Sequence, residues 1–523
     1  MYLIEQKIPF SQSRIWQLQR EYFTSAGIDA WRSGQVPHYL TSNPVVGKTY
    51  AELVLALLRD LSLKGQHNET VYVLELGAGH GRLCYHFFKH FEKYYEQSAI
   101  PLPPFCYVLS DFTESSLDFW RDHPRLQPYL EKGWLDFTLF DVESSNELSL
   151  SYTGLTLSVQ SFSQPLVVIA NYFFDTIPQA LFRVTEKKIS RAFLTLTTTV
   201  DPAGLHPAEL IDALELQYDY EEVQTPVYVD DPAFNDLLEV YREQLLNSHL
   251  LLPDTGIRCL ERLRKLSRQG LILLTADKGD HHVSSLDYNP EPVLVTHGSF
   301  STSVNYHAIG QYCTSQGGVA RFPRHQHEHL DLGCLLFLVN ADSYQETLQA
   351  YERFVGDYGP DDFFMMKKLI EPHFAAFSYA DTLSVLRLSG YDARLFQQML
   401  PRLFEILPTI TDNERWNLLL AVPRIWDTYF PLGETEDLAA NLGDLLVALN
   451  FYQEAILYFE LSVYIYGKKA DVYYKIALCH CLVGDFSTAA PLLNELLVYA
   501  PDNEEVQALI REVNKNRLDL WLI

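Results

Sequence analysis

A chain of 523 residues exceeds what one hydrophobic core usually serves, and 47% hydrophobic with 20% charged residues is the balance of folded protein, so two or more domains are expected. A formal net charge of −27 argues against a nucleic-acid partner, because phosphate binding draws on clustered Lys and Arg that release counterions. Seven cysteines without framework spacing, no charged-then-apolar leader in Met1–Lys7, and no apolar run near the ~20 residues of a spanning helix point to a cytoplasmic protein with no membrane span.

Between residues 45 and 280, short β-like runs alternate with helix-like stretches, the pattern of a mostly parallel sheet covered by helices in an α/β fold. Val71–Leu76, Phe105–Ser110, Gly133–Phe140 and Leu166–Ala170 read as the first four strands, and Leu271–Thr275 as a later one. Each ends at a small, polar or acidic residue, as strands do where the ligand-binding edge of such a sheet begins. The acidic tract from Tyr218–Glu222 through Asp230 and Asp231 reads as a solvated insertion between strands.

From about residue 376 the strand signals fade into amphipathic stretches with short breaks, which read as helical hairpins. Laying residues 436–469 over 470–503 aligns Leu442 with Ile476, Gly443 with Ala477, Ala455 with Ala489 and Phe459 with Leu493, an offset of 34 residues. The period, with Tyr473, the turn Gly484–Phe486 and Pro501, resembles the tetratricopeptide repeat. Domains are therefore expected at 1–375, at 376–435 as a helical linker or degenerate repeats, and at 436–515 as an all-α tetratricopeptide-like repeat domain. Such stacks bind a protein or peptide partner in a concave groove.

The chemistry begins at Glu75-Leu-Gly-Ala-Gly-His-Gly81. Gly77, Gly79 and Gly81 follow a strand and precede a helix, so the backbone can turn sharply and approach a ligand closely. The spacing is G-x-G-x-G and not the G-x-G-x-x-G that seats a diphosphate. S-adenosylmethionine (SAM) has no phosphate but has an ammonium and a carboxylate; an acid such as Glu75 suits the first and backbone N–H groups the second. Asp111, about 30 residues after Gly81, ends the next strand and suits the ribose hydroxyls; Asp141, at the end of the third, suits the adenine side.

Ile169-Ala-Asn-Tyr-Phe-Phe-Asp-Thr-Ile-Pro178 resembles the Asn-Glu-Phe-Phe-Asp-Ala-Leu-Pro signature of the MidA-type SAM-dependent methyltransferases, a family that includes an arginine methyltransferase of respiratory complex I assembly. Tyr39–Pro44, Gly270–Gly279 and Phe300–Tyr306 are similar to further segments of that family in the same order, so the resemblance spans roughly residues 15–375. It implies a Rossmann-like methyltransferase domain with SAM as cofactor, catalytic roles for Asp175 and Asn171, and an acceptor site at Tyr172, Pro178, Asp277 and Asn305. Tyr172 stands for the family's Glu, Ser303 for its His and Asn305 for its Asp, which removes carboxylates that would hold a guanidinium fork. The expected function is methylation of a protein side chain, arginine included; the alternative is a catalytically silent SAM-binding scaffold acting through its repeats.

His325-Gln-His-Glu-His329 is dense in metal ligands but reads as a surface loop, as does His281-His282, since no matching cysteine or acid pair is evident. No metal is expected.

Overall fold

The computed structural model describes residues 1–325, 327, 329–499 and 504–514. The chain forms two compact units divided between Met366 and Lys367, inside the helix Pro360–Ile370 and not at residue 375. The first unit reaches past its last strand because later residues are tied back to it. Asp60 accepts the amides of Glu346 (3.1 Å) and Thr347 (2.9 Å), and Asp361 accepts those of His329 (3.2 Å) and Leu330 (3.0 Å).

The first unit is built on a seven-stranded sheet: β1 Val71–Leu76, β2 Phe105–Asp111, β3 Leu135–Leu139, β4 Leu166–Asn171, β5 Gly270–Asp277, β6 Val319–Arg321 and β7 Asp331–Leu338. Their spatial order is β6-β7-β5-β4-β1-β2-β3. β1 to β5 run parallel, while β7 lies antiparallel to β5 from Gly270↔Leu338 to Asp277↔Asp331. Strands covered on both faces read as continuous apolar runs, which is why β1, β2, β4 and β5 are legible in the sequence, while β6 and β7 are not among the expected strands. The order reverses direction between β1 and β4. A crevice opens at the carboxyl ends of strands where that happens.

A second sheet is five-stranded: Tyr2–Pro9, Lys188–Thr198, Ala180–Thr185 and Asn247–Leu252 in spatial order, with Leu214–Glu222 also paired to Lys188–Thr198. The first half of the acidic tract is thus strand and not a solvated insertion. Leu214, Leu216, Tyr218 and Tyr220 alternate onto a buried apolar cluster, leaving the intervening acids on the other face. That cluster also takes the apolar side of helix α1, Arg14–Ala26, whose first turn is capped by Ser13.

Helix α2, Pro44–Leu63, starts on Asn43, whose side chain accepts the amides of Val45 (2.9 Å) and Val46 (3.1 Å). Helix α3, Arg82–Glu96, follows the glycine turn. Among the described residues, no helix is long and apolar enough to cross a membrane.

The second unit is helical. Its helices α4 Leu438–Ala448, α5 Tyr452–Tyr466, α6 Ala470–Leu482 and α7 Phe486–Tyr499 pack in sequence as hairpins. A Cβ on Gly443 would stand 2.5 Å from the Phe459 ring, so the crossing of α4 and α5 needs a glycine there. Thirty-four residues on, buried Ala477 and Leu493 hold the matching places, a larger residue at the crossing with a smaller one beside it. Pro501 and position 515 lie outside the described residues.

Candidate functional site

β1 passes into α3 through Gly77 (φ 58°), Gly79 (φ 53°) and Gly81 (φ 75°), all in the left-handed region that L side chains avoid. The turn is held by Ala78 N–H to the Ser110 carbonyl (2.9 Å) and by the Trp120 indole N–H to the Gly79 carbonyl (2.9 Å). Gly77 and Gly79 line a cavity of about 210 Å³ at the carboxyl ends of β1, β2 and β4. Gly81 does not line it; it caps α3 and packs on the Trp120 ring, 3.2 Å from where its Cβ would be.

Glu75 lines the floor of the same cavity and accepts a hydrogen bond from the Tyr107 hydroxyl (2.8 Å). Burial pushes its carboxyl up to about 8, so it is protonated at neutral pH. Asp111 also lines the cavity and accepts the amide and hydroxyl of Thr113, both at 3.1 Å; burial pushes it up to about 6. Asp141 is placed differently. Its carboxylate pairs with Arg20 and accepts the amides of Glu143 (2.9 Å) and Ser144 (3.0 Å), while the flanking Phe140 and Val142 face the cavity. It acts on the cavity through Arg20, which does line it.

At the other end stand Asn171, Tyr172, Asp175 and Pro178, all lining the cavity. Asn171 Oδ1 accepts the Tyr50 hydroxyl (2.6 Å) and its Nδ2 donates to the Thr41 carbonyl (3.4 Å), so its orientation is set by α2 and the segment before it. Tyr172 has a φ of 46° at the strand end, unusual for a bulky residue, and donates its amide to the Ala276 carbonyl (3.0 Å).

Asp175 and Asp277 form a buried, hydrogen-bonded carboxyl pair. The Asp175 amide also donates to Asp277 Oδ2 (3.3 Å). Burial raises both carboxyls, Asp277 further because Asp175 is beside it, so the pair together holds a proton above the ordinary carboxylate range. Apart from Asp277, Asp175 Oδ1 is buried without a partner among the described residues. Asp277 lies behind Asp175 and does not itself line the cavity.

Asn305 is a correction to the sequence-based acceptor site. Its Oδ1 accepts the Ala308 amide (2.9 Å) as the cap of the helix Tyr306–Ser315, and its Nδ2 donates to the Leu251 carbonyl (3.1 Å). It is buried away from the cavity, satisfied as a capping residue. Ser303 is exposed and does not line the cavity.

The cavity has a roof that the motifs did not announce: Trp16, Gln19 and Phe23 of α1, then Trp31 and His38. Trp31 stacks on Phe23 with centroids 5.8 Å apart and meets the His80 ring edge-on at 5.9 Å. Nothing in the sequence aims these residues at the glycine turn. Lys278, His297, Ser299 and Ser301 complete the far wall. They follow β5 and the Asp175 segment, to which Thr302 is tied by its amide (3.1 Å) and hydroxyl (2.9 Å) on the Asp175 carbonyl.

No family model and no curated protein matches the chain. Two solved structures from Burkholderia thailandensis align with it, an uncharacterised protein at 12% identity with a TM-score of 0.39, and a protein with S-adenosyl-homocysteine bound at 12% identity with a TM-score of 0.40. Each alignment covers 65% of this chain and 90% of the other.

Proposed function

We propose that the cavity binds SAM and that the chain transfers its methyl group to a protein side chain. The observation that carries this reading is the convergence of Glu75, the Gly77–Gly79 turn and Asp111 on one cavity at the switch point of a parallel sheet. The residues fit the cofactor's chemistry. Glu75 is a buried acid held neutral by burial, and an ammonium beside it favours its ionised form. Asp111 offers an acceptor to ribose hydroxyls, and the glycine turn leaves backbone open to a carboxylate. The aromatic roof suits adenine and keeps water out.

When bound, SAM supplies a methyl group already activated by its sulfonium. What remains for the protein is to hold the nucleophile in line and to take a proton if the nucleophile carries one. Asp175 is suited to both, lining the cavity with its carboxylate braced from behind by Asp277. Asn171, fixed by Tyr50 and Thr41, orients the acceptor beside it. Tyr172 and Pro178 shape the mouth. On this reading the second unit, whose hairpins carry the 34-residue pattern, recruits the protein substrate or a partner as tetratricopeptide-like repeats do.

The test is incubation of the full chain with methyl-labelled SAM and a cell lysate, wild type against Asp175→Ala. Label on a protein band, lost in the variant, supports the enzyme. SAM binding with no label on any protein or small molecule supports the silent scaffold, and label on small molecules alone overturns the protein substrate.

A further inference from the structure

We propose that His281, His327 and Asp331 form a binding site for one divalent transition-metal ion of the zinc type, next to the cavity but separate from it. One ligand atom from each of the three lies within 4.8 Å of the others. The site joins three parts of the first unit: the residue after the short strand Gly279–Asp280, the loop before β7, and the first residue of β7. Of the histidine-rich stretch 325–329, His327 alone enters it; the partner ring comes from His281, 46 positions earlier in the chain.

The hydrogen bonding of the three groups is incomplete as it stands. His281 Nδ1 (2.6 Å) and His327 Nε2 (3.3 Å) both address the same oxygen, Asp331 Oδ2. The other carboxylate oxygen, Oδ1, is buried and unpartnered among the described residues, as are the second nitrogens of both rings. Side-chain exposure is 0% for Asp331, 8% for His281 and 11% for His327, so solvent does little to satisfy them. An ion held by His281 Nδ1, His327 Nε2 and Asp331 Oδ2 takes those two ring lone pairs and the carboxylate's charge, each ring keeping its one proton on its outer nitrogen and any further proton leaving to solvent.

The geometry suits a tetrahedral ion. Ligand atoms 2.0–2.2 Å from such an ion stand roughly 3.3 Å apart. The His327–Asp331 separation is already 3.3 Å, and the His281–Asp331 bond opens by about 0.7 Å when an ion replaces its proton. Two imidazoles and one carboxylate are a borderline donor set that favours Zn²⁺, Co²⁺ or Ni²⁺ over Mg²⁺ or Ca²⁺. The Asp280 carboxylate interacts with all three groups and stands ready to balance the ion's charge.

The position gives the ion a consequence. Asp331 is the register partner of Asp277, and Lys278, which lines the cavity, lies between Asp277 and the short strand leading to His281. An ion here clamps the chain leaving β5 to the start of β7, holding the wall that carries Lys278. His281 is also braced flat against Phe322, centroids 5.0 Å apart at 4°.

The experiment uses the full chain, stripped with a chelator and then titrated with Co²⁺ followed by Zn²⁺. The expected result is one equivalent of Co²⁺ with the intense visible bands of a four-coordinate ion, displaced by one equivalent of Zn²⁺, and a higher melting temperature with either. His281→Ala and His327→Ala should each weaken binding by about 100-fold or more while keeping the native circular dichroism spectrum. His282→Ala and His325→Ala, which alter exposed histidines outside the cluster, should leave it unchanged. Absence of stoichiometric binding to the wild type, or equal affinity in the His281 and His327 variants, overturns the proposal.

Discussion

The indole of Trp31 lies across Gly79, so close that a Cβ on that glycine would stand 2.8 Å from Cζ2. A residue from the N-terminal segment thereby covers the turn that would cradle a cofactor, and the left-handed φ of 53° bars a side chain even if Trp31 moved. Trp31→Ala removes the cover without touching the turn. It should weaken SAM binding about tenfold and diminish the change in tryptophan fluorescence on titration, with the melting temperature nearly kept. Wild-type affinity in this variant would show that the roof takes no part in binding.

Glu75 gives a dependence on pH. Its folded-state value is raised by burial to about 8, so the stability it contributes is present in full below the ordinary carboxyl range and is lost as pH rises through 8. Glu75→Gln keeps a neutral side chain at every pH. The variant should melt close to wild type near pH 5 and roughly a few degrees higher above pH 8.5, read by calorimetric scans. A second consequence concerns the ligand: a cation beside Glu75 ionises it, so SAM binding at pH 7 should release a proton. Titration in two buffers of different ionisation enthalpy measures this, and proton uptake would contradict the assignment.

Asp175 should separate binding from transfer. Asp175→Asn removes the carboxylate at the acceptor end while Glu75 and Asp111 remain, so SAM affinity should stay within about threefold and methyl transfer should fall by about 100-fold or more. Both acids of the pair are raised by burial, so their contribution to stability also fades as pH rises. The variant should therefore lose less stability than wild type between pH 7 and 9. Equal loss of binding and transfer would place Asp175 on the cofactor and not on the acceptor.

In the second unit, Gly443→Val drives a branched side chain into the Phe459 ring and should cost about 1–3 kcal/mol of that unit's stability. Gly443→Ala with Phe459→Leu copies the pair found 34 residues later, Ala477 with Leu493, and should recover most of the loss. Denaturant melts of the four proteins decide it. A double variant no better than Gly443→Ala alone would mean that the two crossings are not equivalent.

Much of the first unit could be read from the sequence because buried parallel strands are continuous apolar runs, and Val71–Leu76 and Leu166–Asn171 stand out as such. That Glu75, Gly77, Gly79 and Asp111 stand together at one edge of the sheet is legible because a strand-end acid and a glycine turn are local features. Residues whose role depends on distant partners are not. Asn305 carries the right chemistry for an acceptor site but is consumed as a helix cap, a choice made by Ala308 and Leu251. Asp141 is drawn aside by Arg20, 121 residues earlier in the chain. Trp31 reaches Gly79, and His281 reaches His327, only through the packing of whole elements. The strand Leu214–Glu222 is hidden in the sequence because its inward residues, two leucines and two tyrosines, are outweighed by the acids that continue from Tyr218–Glu222 to Asp231.

The most direct measurement is calorimetric titration of the full chain with SAM, wild type against Gly79→Val. The predicted result is one saturable site in the wild type and no measurable binding in the variant, with the folded circular dichroism spectrum retained in both. No binding to the wild type, or binding of equal affinity in the variant, would contradict a SAM site at this glycine turn.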